Sequence, residues 1–194
     1  MIIWINGAFG SGKTQTAYEL QRRLPCSYVY DPENIGFFIR ENVPPSIRAS
    51  DFQDYPMWRA FNLEMLSYIA RRYEGDVIVP MTVTNRAYYD EIIGALSEEH
   101  EVRHFILWAE KETLLKRLAS RLESRRSWAA RQIDRCTSAF CADITEFKIY
   151  TDGMSIPQVA EAVAGASGVV LSKDGRSSLR RAADRLVTQF RHIR

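Results

Sequence analysis

Short apolar segments alternate with amphipathic segments along the whole chain. The apolar runs, several rich in β-branched residues, predict strands over 1–5, 27–30, 76–80, 102–109 and 147–151. Apolar residues at helical spacing predict helices over 14–24, 33–41, 59–73, 86–96, 156–164 and 177–193. This alternation predicts an α/β domain with a five-stranded, mostly parallel sheet and helices on both faces.

Composition and charge narrow the class of protein. A chain of 194 residues suits one domain, 1–194, with a sizeable core, and the net charge of +2 does not indicate a dedicated nucleic-acid binder. Three scattered cysteines without C-x-x-C spacing argue against a disulfide framework and indicate a reducing cytoplasm. The apolar strand at the first residue leaves no room for a signal peptide, and no apolar run approaches a membrane span in length.

The first predicted strand leads directly into a phosphate-binding loop. Residues 7–14 match G-x-x-x-x-G-K-[ST] at every fixed position, between a strand and a helix, as a P-loop NTPase fold requires. We expect Lys13 to act as a catalytic charge on the β and γ phosphates of ATP and the Thr14 hydroxyl to bind Mg²⁺. The residues expected to cradle the nucleotide are Gly7, Ala8, Phe9, Gly10, Ser11, Gly12, Lys13 and Thr14.

A carboxylate follows the second predicted strand, where ligands bind in open α/β sheets. We predict that Asp31 binds the substrate and accepts a proton from its attacking hydroxyl, with Glu33 as the runner-up for that role. The alternative is that Asp31 caps the next helix, with Pro32 at its first position.

The stretch 51–59 mixes aromatic rings, amides and charges, which suits a flat ring with hydrogen-bonding edges. We predict that Gln53 reads a base-like edge and that Arg59 holds a phosphate or hydroxyl. Trp58 either stacks on the substrate or packs in the core. Thr82 is a further candidate for the substrate site, because it follows the third strand where many nucleotide-binding folds carry an Asp. The missing carboxylate there weakens the interpretation as an ATPase motor.

Basic side chains concentrate between residues 116 and 135. Arg117, Arg121 and Arg125 recur at i, i+4 and i+8, and residues 124–127 look like a break between two helices. After a phosphate-binding loop, this pattern predicts a lid over about 117–135. In that lid Arg117 and Arg121 contact the nucleotide, and Arg121 and Arg125 act in catalysis. A solvated, salt-bridged helix face is the alternative.

The chain ends in a predicted flexible connector, 165–175, and an amphipathic helix over about 176–193. Its apolar stripe of Leu179, Leu186, Phe190 and Ile193 stands opposite several arginines. We expect the stripe to pack on the outer face of the sheet. The alternative is a weak peripheral contact with the inner face of the membrane.

Together these parts indicate a small-molecule phosphotransferase that uses ATP and Mg²⁺. Blocks along nearly the whole chain also resemble the tunicamycin-resistance ATP-binding proteins of bacteria. They include WINGAFGSGKT at 4–14, VYDPE at 29–33, DFQ at 51–53, WRAFN at 58–62, IVPMT at 78–82 and KETLLKRL at 111–118.

The resemblance implies a fold like that of nucleoside and nucleoside-monophosphate kinases, and ATP binding. It also implies a tunicamycin-like partner, a nucleoside antibiotic that carries uracil, sugars and a fatty acyl chain. The resemblance leaves two functions open: phosphorylation of the drug, or ATP-dependent sequestration of the drug without transfer. It further implies that the C-terminal helix touches the membrane.

Overall fold

A parallel β-sheet forms the centre of the molecule in the computed structural model, which describes residues 1–121, 123–124 and 126–191. Its strands are β1 (Ile2–Gly7), β2 (Ser27–Val29), β3 (Asp76–Pro80), β4 (Val102–Trp108) and β5 (Lys148–Tyr150). They lie in the order β2-β3-β1-β4-β5, and every neighbouring pair is parallel. The predicted α/β fold with a five-stranded sheet is therefore confirmed.

Helices connect the strands on both faces of the sheet. In the described residues they are α1 (Lys13–Arg23), α2 (Glu33–Asn42), α3 (Pro56–Arg72), α4 (Arg86–Tyr89), α5 (Ala95–Glu99), α6 (Lys111–Ala119), α7 (Trp128–Ala142), α8 (Ile156–Ser167) and α9 (Ser178–Arg191). A π-helical turn, Asp90–Gly94, joins α4 to α5. The single regular helix predicted over 86–96 is therefore interrupted by this wider turn.

The central strand explains why the core has two layers. Ile2 and Trp4 of β1 face one side and pack with residues of α3 and α5, while Ile3 and Ile5 face the other side and pack with α1 and α8. All four side chains are fully buried. A strand covered on both faces needs a continuous apolar run, which is the pattern that predicted it.

Both ends of the basic segment 117–135 belong to helices, α6 and α7, that contribute buried side chains to the core. Leu118 of α6 and Ile133, Cys136 and Phe140 of α7 form a buried cluster beside β4. Within the lid predicted over about 117–135, residues 117–119 and 128–135 therefore lie in helices that pack on the core. The connection between the two helices, residues 120–127, is the part that lies outside regular helix, and its residues 122 and 125 are outside the described part.

The C-terminal helix α9 docks on α1 through polar groups. Arg22 Nη2 donates to Thr188 Oγ1 at 2.8 Å, and Gln15 Nε2 donates to the carbonyl of Arg185 at 3.0 Å. Thr188 is buried, whereas Leu179 and Leu186 are 82% and 55% exposed. The prediction that the apolar stripe packs on the sheet is therefore wrong for these two leucines, and Phe190 and Ile193 lie outside the side chains described.

The segment before α9 is also held in place. Helix α8 continues to Ser167 and thus takes up the start of the connector predicted over 165–175. Arg23 Nε donates to the Ser172 carbonyl at 3.0 Å, and Arg176 forms ion pairs with Glu19 and Asp184. Buried charges on α1 therefore fix the course of the chain towards α9. In the described residues, we find no helix with the length and apolar character needed to span a membrane.

Candidate functional site

The carboxyl ends of the strands meet at one edge of the sheet, and the phosphate-binding loop lies at its centre. The loop runs from the end of β1 to the start of α1. Gly10 has φ +84°, and a Cβ there would lie 2.8 Å from the Leu114 carbonyl oxygen. Gly12, with φ +98°, precedes the first turn of α1. Only glycine adopts these angles without strain, so the spacing of the motif is dictated by the backbone.

Lys13 is bound to the loop that it follows. Its Nζ donates to the carbonyls of Gly7 at 3.0 Å and Ala8 at 3.2 Å, so these two residues take part through their oxygens. Burial lowers the pKa of Lys13 to about 8, against a smaller opposing effect of the Glu33 carboxylate. Burial thus disfavours the ammonium form at this position, and an anion bound beside it would favour the charged form.

A cavity of about 640 Å³, here called the central cavity, opens on one side of the loop. This is a typical size for a small-molecule site. Its walls come from the phosphate-binding loop, α2, the 50–53 loop, the residues just after β3, the 120–127 connection, α7 and α9. The residues used below that line it are Phe9, Lys13, Thr14, Glu33, Phe37, Arg40, Asp51, Gln53, Thr82, Arg121, Trp128 and Arg135.

Asp31 and Glu33, the two carboxylates that follow β2, differ in their position relative to the central cavity. Asp31 Oδ1 accepts a hydrogen bond from the Glu33 backbone N–H at 3.0 Å, as a capping residue does. Asp31 is not among the lining residues of the central cavity, whereas Glu33 is. The lining of the central cavity therefore favours the runner-up, Glu33, whose carboxylate also acts electrostatically on Lys13.

In the 51–59 stretch, one predicted site residue lines the central cavity and another holds it in place. Gln53 lines the central cavity. Arg59 Nη1 donates to the Gln53 carbonyl at 2.6 Å, and its Nε pairs with Glu91. Arg59 therefore positions the wall and has its charge satisfied by protein, which corrects the prediction that it holds a substrate phosphate.

Trp58 belongs to the core. Its side chain is fully buried, and its indole N–H donates to the Pro32 carbonyl at 3.0 Å. Phe52 packs on it, with ring centroids 5.4 Å apart. The substrate-stacking role considered for Trp58 is therefore wrong, because the 52–54 turn covers the ring.

Thr82, just after β3, is hydrogen-bonded to the phosphate-binding loop. Its hydroxyl donates to the Gly7 carbonyl at 2.8 Å, and the side chain of Asn6 binds both the N–H and the C=O of Val83. Thr82 also lines the central cavity. Its position agrees with the prediction, although its hydroxyl already has a protein acceptor.

A second cavity of about 610 Å³, here called the lateral cavity, opens on the other side of the loop. Arg117 and Arg121 both line it. Arg117 is anchored by its bonds to Thr151, at 3.0 Å to Oγ1 and 2.6 Å to the carbonyl, and burial lowers its pKa. Arg121 lines both cavities, so its guanidinium lies where a ligand would pass from one to the other.

Two basic residues that line the central cavity, Arg40 and Arg135, are absent from the predictions made from the sequence. Arg40 lies on α2 with Glu33 and Phe37, at i, i+4 and i+7, a spacing that places three side chains on one helix face. That spacing could have identified it. Arg135 lines the cavity from α7. Arg125, predicted to be catalytic, lies outside the described residues.

The donor set suits a metal that arrives with phosphates. In the described residues no group of three His, Cys, Asp or Glu side chains could hold a metal ion by itself. Thr14 lines the central cavity at the start of α1, next to Lys13. A single hydroxyl at this position fits Mg²⁺ whose remaining ligands are phosphate oxygens and water.

Comparisons with known proteins agree with this architecture. A family model described as an AAA domain matches residues 2–142. The structure of a Deinococcus radiodurans tunicamycin resistance protein is similar with a TM-score of 0.76 and 33% sequence identity, covering 89% of this chain and 98% of that one. No curated protein sequence gave a significant match.

Two kinases share the fold at lower identity. A sugar kinase from Janibacter sp. HTCC2649 is similar with a TM-score of 0.61 and 15% sequence identity. The alignment covers 87% of this chain and 95% of the kinase chain. A shikimate kinase from Bacteroides thetaiotaomicron has a TM-score of 0.60 and 15% identity, with coverages of 87% and 99%. At this identity the likeness concerns the fold alone.

Proposed function

The chain belongs to the AAA domain family and, within it, to the tunicamycin resistance proteins, and from this we propose that it is an ATP-dependent phosphotransferase. The proposed acceptor is a hydroxyl of a nucleoside-like molecule such as tunicamycin. One observation carries the proposal: two cavities of similar size meet at the phosphate-binding loop. The two cavities have room for a nucleotide and an acceptor, and the position of Glu33 beside Lys13 favours transfer over sequestration.

The nucleotide side of the proposal uses the loop and three cations. Inward N–H groups of residues 8–13 bind phosphate oxygens, and the start of α1 adds its positive dipole. Lys13 exchanges its two carbonyl acceptors for phosphate oxygens. Arg117 and Arg121 offset the charge that develops on the transferring group. When Mg²⁺ is bound, it neutralises charge on the β and γ phosphates, with Thr14 as its protein ligand.

The acceptor side of the proposal uses the central cavity. Glu33 orients the attacking hydroxyl and accepts its proton, because it is the strand-end carboxylate that lines the cavity beside Lys13. Asp31 holds the turn that positions Glu33. Phe37 and Gln53 offer a ring face and an amide to a base-like group, and Arg40 and Arg135 offer charge to polar substituents.

The pKa of Lys13 gives a pH signature. Since the pKa is about 8 in the free protein and a bound triphosphate raises it, ATP binding must take up a proton above pH 8. Proton uptake per ATP should be small at pH 7 and rise towards one at pH 9, while the affinity falls over the same interval. Calorimetry in buffers of different ionisation enthalpy measures this uptake, and the Lys13→Arg variant, which keeps its charge, should lose it.

The alternative function is ATP-dependent sequestration of the drug without transfer. The two functions differ in whether tunicamycin stimulates steady ADP release by the purified protein. Phosphotransfer predicts stoichiometric ADP release for each drug molecule consumed. Drug-dependent ATP retention without ADP release would favour sequestration.

We also propose that α9 makes a weak peripheral contact with anionic membrane surfaces. Leu179 and Val187 are exposed on α9 and line neither cavity, and the sequence of this helix also carries Arg180, Arg181 and Arg185. An apolar edge flanked by arginines is typical of interfacial helices. The protein should float with phosphatidylglycerol vesicles at low salt and less at high salt.

A pair of variants tests the membrane contact. Leu179→Asp should reduce flotation at least severalfold, because it places a charge at the apolar edge of α9. Phe38→Asp, at an exposed apolar position on α2, is the matched control and should float like the wild type. Equal loss in both variants, or no flotation of the wild type, would count against the contact.

A further inference from the structure

The lateral cavity has two apolar walls of different origin. Met154, Ile156 and Val159 form one wall, from the loop after β5 and the start of α8. Ala182 and Leu186 of α9 stand among the remaining lining residues. These two helices are far apart in sequence, and the lateral cavity is bounded by both.

The residues that line the lateral cavity suit an anion that carries a flat apolar group. Arg117, Arg121 and Arg185 contribute three guanidinium groups, and no Asp or Glu occurs among its described lining residues. Gly10 and Gly12 of the phosphate-binding loop form its inner end. A triphosphate held at that end leaves the attached base to extend between the two apolar walls.

Helix α9 is held at this cavity by specific bonds. Gln15 lines the cavity from α1, and its Nε2 donates to the Arg185 carbonyl at 3.0 Å. Arg22 donates to Thr188 of α9, and Arg176, two residues before α9, pairs with Glu19, so α9 and the chain just before it are attached to α1 at three places. The carbonyl oxygen of the Gln15 amide is buried without a hydrogen-bond partner in the described part of the chain. An exocyclic amino group of a base is a donor of the kind this oxygen lacks.

We propose that α9 is a wall of the nucleotide site, and that the base of ATP is held between Leu186 of α9 and the start of α8. The inference rests on the proposed ATP-dependent function and adds residues that lie outside the phosphate-binding loop and the lid. It makes the C-terminal helix part of nucleotide recognition, so that ATP and the docked position of α9 stabilise each other.

The test compares two leucines of the same helix. Leu186→Ala should weaken ATP binding roughly 5-fold, as expected for the loss of part of an apolar contact. Leu186→Asp should weaken it more than 10-fold, since it adds a carboxylate beside an anion. Leu179 lies seven residues earlier and is exposed but not part of the cavity, so Leu179→Ala and Leu179→Asp are the controls and should bind ATP like the wild type.

Inorganic tripolyphosphate serves as the second probe, because it has no base. Its affinity should be unchanged in Leu186→Ala. Calorimetric titration with both probes separates the outcomes. Unchanged ATP affinity in both Leu186 variants would overturn the wall formed by α9 while leaving the proposed function intact. A wild-type protein that binds neither ATP nor tripolyphosphate would overturn the proposed function, and this inference with it.

Discussion

Replacement of Lys13 by alanine should weaken ATP binding by about 100-fold or more and abolish turnover, because one charge-assisted contact to the phosphates is lost in a buried site. The fold should survive, since the ammonium bonds only to loop carbonyls and carries a desolvation cost of its own. Equilibrium dialysis with ATP measures the affinity, and thermal unfolding checks the fold.

Lys111 offers a matched control for this variant. Like Lys13 it is the first residue of a helix, but it is exposed and pairs with Asp134 on the surface. Lys111→Ala should bind ATP normally, because a surface ion pair of this kind contributes little. Undiminished ATP affinity and turnover in Lys13→Ala would refute the assignment of the loop as the phosphate site.

The second large effect is expected at Glu33. Glu33→Gln should lower phosphoryl transfer by roughly 10²- to 10⁴-fold, as loss of a general base does, while ATP affinity stays within about twofold of the wild type. The amide keeps the size of the side chain and removes its basicity. Transfer from γ-labelled ATP to tunicamycin measures the rate, and growth of cells on the drug measures the resistance.

Asp31→Asn is the control that separates the two carboxylates. Asparagine caps a helix as well as aspartate does, so this variant should retain the turn and most of the transfer rate. The reverse result, an inactive Asp31→Asn and an active Glu33→Gln, would restore Asp31 as the base. Full resistance in both variants would favour sequestration over transfer.

The sheet and its loop could be predicted because their determinants are local. A strand such as β1, buried on both faces, requires a continuous apolar run, and the phosphate-binding loop requires glycine where φ is positive. Both demands appear as residue types at fixed spacing. The order of the strands lies beyond these local signals, because β1 and β2 are consecutive in the chain and yet are separated by β3 in the sheet.

The remaining features depend on distant contacts that periodicity does not report. Trp58 carries the aromatic signal of a ligand site, yet the turn at Phe52 covers it. Arg59 carries the signal of a phosphate ligand, yet Glu91 and Gln53 satisfy it. In each case the side chain has the right chemistry, and other protein groups decide its use, among them Pro32 for Trp58 and Glu91 for Arg59, which lie 26 and 32 residues away.

The docking of helix α9 likewise depends on contacts that the periodicity of its sequence does not report. Its hydrophobic stripe predicted packing through leucines, whereas ion pairs and hydrogen bonds to α1 fix it in place. The partners on α1, Gln15, Glu19 and Arg22, are polar residues of an otherwise ordinary helix. These three residues lie at i, i+4 and i+7 on one helix face, but exposed helices carry polar residues at the same spacing, so the pattern does not distinguish docking from exposure to solvent.

The most direct measurement is the mass of the drug after incubation with the protein and Mg-ATP. If the protein transfers a phosphoryl group, tunicamycin becomes heavier by one phosphoryl group and an equal amount of ADP is formed. The Lys13→Ala and Glu33→Gln variants should give no such product. Unmodified tunicamycin that nevertheless binds tightly to the ATP-loaded wild-type protein would contradict phosphoryl transfer.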